Sequence, residues 1–163
     1  MANKKREFSK FYKANIDRIY RFVFFRVQDQ ETAEDLTSEI FIKALNSFDK
    51  YDANKSRSAW LYTIARNHVI NYYRDKKQTV DIDKIEFELV GEDGRDTMER
   101  ASGIEMLKKA LNKLSGKEQK LVTMKHLEGY TYTEMADVLG KSAGSLKVAT
   151  HRALAKLKTI IAR

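Results

Sequence analysis

Between Phe8 and Val27 the apolar residues Phe8, Phe11, Tyr12, Ile16, Ile19, Tyr20, Val23 and Phe24 return every three to four positions, the repeat of a helix with one apolar face. A second helix is expected next. Thr32 stands three residues before Asp35 in a capping-box-like start, and Ala33, Leu36, Ile40, Ala44 and Leu45 then share one face. The polar stretch from Asp49 to Ser58 has no period and is rich in turn formers, which predicts a loop. From Trp60 to about Arg74, a third apolar stripe runs through Trp60, Leu61, Ile64, Ala65, His68 and Tyr72.

Periodicity fades over residues 79–105, which contain Gly91, Gly94 and Gly103. This segment reads as a linker, with room for a short helical or extended stretch around Ile82 to Val90. Helical periods resume at about 104–114, 116–127 and 131–139, and a longer one runs from about 143 to the end of the chain. Ser115 with Glu118, and Thr131 with Glu134, have the spacing at which a hydroxyl and a carboxylate satisfy each other's backbone N–H groups at a helix start. The chain has no proline, so Gly116, Gly129 and Gly140 are expected to supply the breaks. The pattern predicts an all-α protein of two small helical domains, residues 1–78 and 106–163, joined by a flexible linker over 79–105.

Charge sharpens that division. Lys and Arg number 31 against 23 Asp and Glu, a net charge of +8. Residues 1–78 hold 16 basic and 10 acidic side chains, residues 79–105 hold 3 and 9, and residues 106–163 hold 12 and 4. Two basic blocks therefore flank an acidic bridge, a distribution suited to polyanionic partners, although solvated faces of any helical protein also carry charge. There is no cysteine, and His68, His126 and His151 are too scattered for a zinc site, so neither a metal nor any other cofactor is expected. No apolar run of signal-peptide or membrane-spanning length follows the basic N-terminus, which predicts a cytoplasmic protein without membrane insertion.

The sharpest local signal spans Thr131 to Leu146. A helix-turn-helix needs a small residue where its helices cross, a turn residue that tolerates positive φ, and apolar contacts between the helices. Ala136, Gly140, and Met135 with Leu139 and Leu146 meet these needs. Ser142 can cap the second helix, whose Ser145, Lys147, Val148, His151 and Arg152 would face a duplex major groove and its flanking phosphates. Core packing or a protein-docking hairpin is the alternative for this segment. On the third helix, Asn67, Asn71 and Arg74 follow one face opposite the apolar stripe. Asparagine can bond base edges, Arg66, Arg74, Lys76 and Lys77 can hold phosphates, and Trp60, Tyr62, Tyr72 and Tyr73 can stack on unpaired bases. A solvated polar face and a core tryptophan would account for the same residues.

Three separated segments together resemble the sigma-70 family of its minimal extracytoplasmic-function type. They are Ala33-Glu34-Asp35-Leu36-Thr37-Ser38-Glu39-Ile40-Phe41-Ile42-Lys43-Ala44, Trp60-Leu61-Tyr62-Thr63-Ile64-Ala65-Arg66-Asn67, and the helix-turn-helix ending Lys147 to Ala153. The resemblance implies a promoter-specificity subunit, not an enzyme, with core RNA polymerase and promoter DNA as partners. It implies that Asp35, Leu36, Glu39 and Phe41 dock on the clamp helices of the polymerase β′ subunit. Trp60, Arg66, Asn67, Asn71 and Arg74 would then take the minus-10 element as single strand. The C-terminal domain, in reach of the β flap, would read the minus-35 element as duplex through Ser145, Lys147, Val148, His151 and Arg152. The family commonly has a dedicated anti-sigma inhibitor, a further implied partner that no residue here identifies. The chain departs from the family at Val148-Ala149, where Ser-Arg is usual, and at Lys141, where an apolar residue is usual.

Two other classes fit less well. Gly140-Lys141-Ser142 looks like the end of a phosphate-binding loop, but that motif needs glycine where this chain has Met135, and no small-molecule substrate is expected. A helix-turn-helix regulator acting without polymerase would bind duplex DNA unaided.

Overall fold

The computed structural model describes residues 2–51, 56–77 and 98–163, with the side chains of residues 98–102 and of residue 104 left aside. Among the described residues seven α-helices follow one another: α1 (Ala2–Val27), α2 (Gln30–Ser47), α3 (Arg57–Asp75), α4 (Met98–Asn112), α5 (Gly116–Val122), α6 (Tyr132–Leu139) and α7 (Ala143–Ala162). No strand occurs among the described residues, so the all-helical expectation holds.

Several boundaries differ from the sequence reading, each for a local reason. The first helix begins at Ala2, well before its apolar period starts at Phe8. The second is capped by Asp29, not Thr32: the Asp29 carboxylate accepts from the Thr32 backbone N–H at 2.9 Å and from its hydroxyl at 2.7 Å, which makes Thr32 the donor. The expected loop holds a 3₁₀ turn at Phe48–Lys50, and α3 starts at Arg57 under a Ser56 cap. Helix α4 begins at Met98, so the last eight residues of the expected linker are helical, while residues 79–97 lie outside the described part. Gly116 opens α5 behind the Ser115 capping box and does not break a helix. After α5 the chain widens into a π turn over Thr123–Leu127, and Gly129 and Gly140 take positive φ of 77° and 67°.

Helices α1, α2 and α3 pack mutually, and α7 packs against α4, α5 and α6. One cluster joins Ile19, Phe22, Val23, Ile40, Leu61, Ala65 and Val69 of the first three helices to Leu121, Met124, Tyr130, Met135 and Leu146 of the C-terminal half. A smaller cluster of Ala110, Leu111, Leu114, Val122, Ala153 and Leu157 holds α4 and α5 against α7. The two halves meet where α3 packs on α6. Phe22 of α1 and Tyr62 of α3 are in edge contact at 5.0 Å, and Tyr130 from the other half has its ring 6.2 Å from that of Tyr62.

Polar groups fix how the halves meet. Arg18 on α1 donates to both oxygens of Glu134 on α6 at 2.7 and 3.3 Å, and to the Gly129 carbonyl at 3.3 Å, with its guanidinium 4.2 Å over the Tyr130 ring. Ser58 at the start of α3 donates to the same carboxylate at 2.8 Å. Arg21 donates to the Leu127 carbonyl at 3.1 Å. Arg26 and Glu128 form an ion pair at 3.4 Å with side chains only 3 and 0% exposed. Burial raises the Glu128 pKa above the ordinary glutamate value against the opposing pull of the Arg26 charge, and Glu128 Oε2 has no hydrogen-bond partner among the described residues. Glu134 goes the other way. Burial acts to raise its pKa, but hydrogen bonds from Arg18, the Thr131 backbone and Ser58 outweigh it and leave the carboxyl below its ordinary value.

The raised Glu128 value has a definite sign in stability. Below the unfolded glutamate pKa both states hold the proton, and Glu128 adds no pH dependence. Above it the unfolded chain releases a proton that the folded chain keeps, so stability falls with rising pH until the folded pKa is passed, by about 1.4 kcal/mol per pH unit at most. Urea unfolding across this window is expected to show that decline in the wild type and a flatter profile in Glu128→Gln. Arg26→Met removes the opposing charge, so its decline should extend to higher pH. Parallel profiles for all three proteins would contradict the assignment.

Candidate functional site

The helix-turn-helix forms as its residues demand. Thr131 and Glu134 make a reciprocal capping box at the start of α6, with both bonds at 3.1 Å. The helix stops at Gly140, whose left-handed conformation returns its N–H to the Ala136 carbonyl at 2.9 Å. Ser142 then caps α7, accepting from the Ser145 N–H at 3.2 Å. Met135 and Leu146 are buried where α6 and α7 meet. Each part of this motif is a local backbone problem with a local solution, which is why it was legible in the sequence.

Helix α7 turns Leu146, Thr150, Ala153 and Leu157 inward. Ser145, Lys147, Val148, His151 and Arg152 are all exposed and share the outer side. The Ser145 hydroxyl is engaged with the cap, donating to the Ser142 carbonyl at 2.9 Å. His151 lies against Tyr132 with ring centroids 6.5 Å apart.

A basic crevice adjoins this face and was missed by sequence reasoning. Lys117, Lys120 and Lys141 line a cavity of about 490 Å³ together with Ser145, over a floor of Leu121, Leu139, Leu146 and Ala149. The Lys117 side chain, in hydrogen-bond contact and of like charge, holds the Lys141 pKa below the ordinary lysine value. Ammonium groups gathered this way gain from a neighbouring anion. Only the unusual lysine at position 141 hinted at the crevice in sequence, because Lys117 and Lys120 arrive from α5.

On α3, Asn67 and Arg74 are exposed and Arg66 and Asn71 are half-buried. Arg74 donates to Asn71 Oδ1 at 2.7 Å, which orients the asparagine on the helix surface. Trp60 does not stand free as a stacking platform. It is half-buried among Phe11, Phe48 and Tyr51, with centroids 5.8 to 6.2 Å away, as expected of a wide apolar ring between three helices. His68 stays largely buried within the apolar stripe, and its Nε2 lies 2.6 Å from Glu39 Oε2.

The α2 residues divide by depth. Asp35 and Glu39 are exposed, whereas Leu36 and Phe41 are 6 and 4% exposed and belong to the chain's own core, so neither offers a surface to a partner. Their places on the outer face are taken by Ile42 and Leu45, at 57 and 42% exposure, beside Tyr12 on α1. Ile42 continues the line of Asp35 and Glu39 at helical spacing, a signal present in the sequence. No cluster able to hold a metal ion and no helix long and apolar enough to cross a membrane occurs among the described residues.

A helix-turn-helix with an exposed, cation-rimmed second helix, set against a second helical module, defines a helix-turn-helix DNA-binding protein. The model of Sigma-70 region 2 matches residues 11–79, and that of Sigma-70, region 4 matches residues 104–157. The chain belongs to the sigma-70 family, as a transcription initiation factor of the extracytoplasmic-function type. It is 32% identical to the RNA polymerase sigma factor YlaC of Bacillus subtilis over 151 residues, 90% of this chain and 87% of YlaC. It is also 32% identical to the ECF RNA polymerase sigma factor BldN of Streptomyces coelicolor over 161 residues, 94% of this chain, and spans 60% of BldN's length. The fold is similar to the sigma factor RpoE of Bartonella quintana, solved in complex with the anti-sigma factor NepR, with a TM-score of 0.63 and 20% identity over 96% of this chain and 97% of RpoE. It is also similar to CnrH, solved with the cytosolic domain of CnrY, with a TM-score of 0.59 and 20% identity over 96% of this chain and 88% of CnrH.

Because Lys117 and Lys141 repel each other in the free protein, Lys117→Gln is expected to raise the thermal unfolding midpoint. The same change should lower the slope of log affinity for duplex DNA against log salt by about one, as one phosphate contact is lost. An unchanged slope would take the crevice out of the DNA interface.

Proposed function

We propose that this chain is a cytoplasmic, non-catalytic specificity subunit that docks on core RNA polymerase through α2, holds the opened minus-10 strand along α3 and reads the minus-35 duplex with α7. The observation that carries the reading is the outer side of α7. Lys147, Val148, His151 and Arg152 are exposed there, on a helix whose opposite side is buried and whose start is fixed by the Ser142 cap. Direct reading of bases requires such a rigid helix in the major groove, and phosphate contacts from Lys147, Arg152 and the lysine crevice would set its register.

The exposed carboxylates Asp35 and Glu39 support docking on a basic partner surface, and Ile42 and Leu45 supply the apolar contact that such an interface needs near its centre. Leu36 and Phe41 act from beneath, by holding the shape of α2. Asn67, exposed, and Asn71, oriented by Arg74, are suited to bonding base edges once the strand is unpaired, while Arg66 and Arg74 neutralise phosphates. Trp60 supports this site by packing, and any stacking on a base falls to residues other than its buried faces. Unstacking a base costs a few kcal/mol, so opening is expected only with polymerase, which supplies the rest of the channel. The β flap is the natural support for the C-terminal half. Because RpoE was solved with the anti-sigma factor NepR and CnrH with the cytosolic domain of CnrY, an anti-sigma factor is proposed as a further partner.

Reversing both charges in Asp35→Lys/Glu39→Lys is expected to weaken core binding in a pull-down by tenfold or more, while circular dichroism stays unchanged. Undiminished core binding would overturn the docking face. Replacing Asn67 and Asn71 by Ala should slow promoter opening, followed by permanganate reactivity of unpaired thymines, more than it weakens initial duplex binding. An equal loss at both steps would assign the two asparagines to backbone positioning only.

A further inference from the structure

From the outer ridge of α7 we infer that Val148 reads the 5-methyl group of a thymine in the upstream duplex, and that Gly144 lets the helix approach the base edges closely enough for it to do so. The inference rests on the proposed reading of that duplex by α7.

Successive residues of an α-helix are turned by about 100°, so Val148 lies almost opposite the buried line of Leu146, Thr150, Ala153 and Leu157. It is 50% exposed. Ser145 and Arg152 flank it on one side, and Lys147 and His151 on the other, all of them polar and exposed. A half-exposed apolar side chain at the crest of a polar face adds little burial to the fold. Valine is also a poorer helix former than alanine or lysine, because its branched Cβ loses rotamer freedom against the preceding turn. Gly144, one turn earlier on the same ridge, is equally unexplained by folding. A Cβ built on it meets nothing within 4 Å, and its φ is not in the left-handed range that favours glycine. Glycine in a helix gives up backbone entropy that alanine would keep. One helical turn apart, a half-exposed valine and a glycine with open space around its Cα are thus both poorer helix formers than alanine.

The major groove supplies the missing reason. Its base edges present hydrogen-bond donors and acceptors, which a valine would strip of water without replacing their bonds. The one apolar group on any base-pair edge there is the thymine 5-methyl. A branched aliphatic side chain aimed into that groove is therefore complementary to thymine and unfavourable over every other base. Such contact requires the helix backbone close to the groove floor, and a side chain at position 144 would hold it away. His151 and Arg152, both exposed, flank Val148 toward the neighbouring base edges, while the Ser145 hydroxyl stays engaged with the Ser142 cap.

The test uses holoenzyme reconstituted from the full chain and core RNA polymerase, with a promoter duplex that this holoenzyme selects from a randomised library. Each upstream thymine is replaced in turn by deoxyuridine, which removes only the methyl group. At one position the wild type should lose about three- to fivefold in affinity, the worth of one buried methyl. Val148→Ala should bind the thymine duplex more weakly by a similar factor and be indifferent to deoxyuridine there, whereas Val148→Thr, which keeps a Cγ methyl, should respond as the wild type does. Gly144→Ala should raise the unfolding midpoint by about 1–4 °C and yet weaken binding. A flat deoxyuridine scan, or the same response from Val148→Ala as from the wild type, overturns the methyl contact, and unweakened binding by Gly144→Ala overturns the close approach. Lys147→Ala/Arg152→Ala separates this from the parent reading. If that pair leaves upstream affinity unchanged, α7 does not read the duplex and both fall; if it weakens binding while the scan is flat, only the inference about Val148 falls.

Discussion

The Glu134 carboxylate joins three helices at once. It closes the capping box that starts α6, accepts both guanidinium bonds of Arg18 from α1, and accepts the Ser58 hydroxyl from the first turn of α3. The first helix of the helix-turn-helix is therefore oriented by the same group that attaches it to the N-terminal half. Around this tie, Tyr130 seats its ring against Tyr62 under Arg18, and the buried Arg26–Glu128 pair fixes the far edge of the contact. Apolar burial drives the association, and the ion pairs select its geometry, because a shifted register would leave Arg26 and Glu128 buried without one another.

This closed arrangement leaves the proposed working faces outside. Asp35, Glu39 and Ile42 on α2, Asn67 and Arg74 on α3, and Lys147, Val148, His151 and Arg152 on α7 are all exposed while the halves remain in contact. The contact consumes other surfaces, the side of α3 that packs on α6 and the side of α1 that carries Arg18, Arg21 and Arg26. Three of the N-terminal basic residues are thus committed to the chain's own carboxylates and carbonyls. Net positive charge alone overstates the surface left for nucleic acid, and the crevice of Lys117, Lys120 and Lys141 gains weight accordingly.

The helices and the helix-turn-helix were legible because they follow from neighbours in sequence: apolar spacing, the Ser115 and Thr131 capping boxes, the Ser142 cap and the left-handed turn at Gly140. What sequence could not display was depth. Leu36 and Phe41 share a helix with Asp35 and Glu39, yet the apolar pair faces inward, and Ile42 and Leu45 stand out in their stead. Trp60 joins an aromatic cluster because Phe11 and Phe48 converge on it from other helices. No local pattern ties Arg18 to Glu134 or Arg26 to Glu128, because the fold brings together residues more than 100 positions apart. The cap of α2 was misplaced by three residues because Asp29, Thr32 and Asp35 each offer a plausible oxygen, and only the observed bonds choose among them.

Promoter choice rests on the division of labour between this chain and a polymerase that lacks promoter specificity. Run-off transcription with purified chain, core RNA polymerase and a fragmented genomic template measures it most directly. Discrete transcripts from defined start sites, dependent on both proteins together, are the predicted result. No chain-dependent start site on any template, with tight duplex binding by the chain alone, would contradict it.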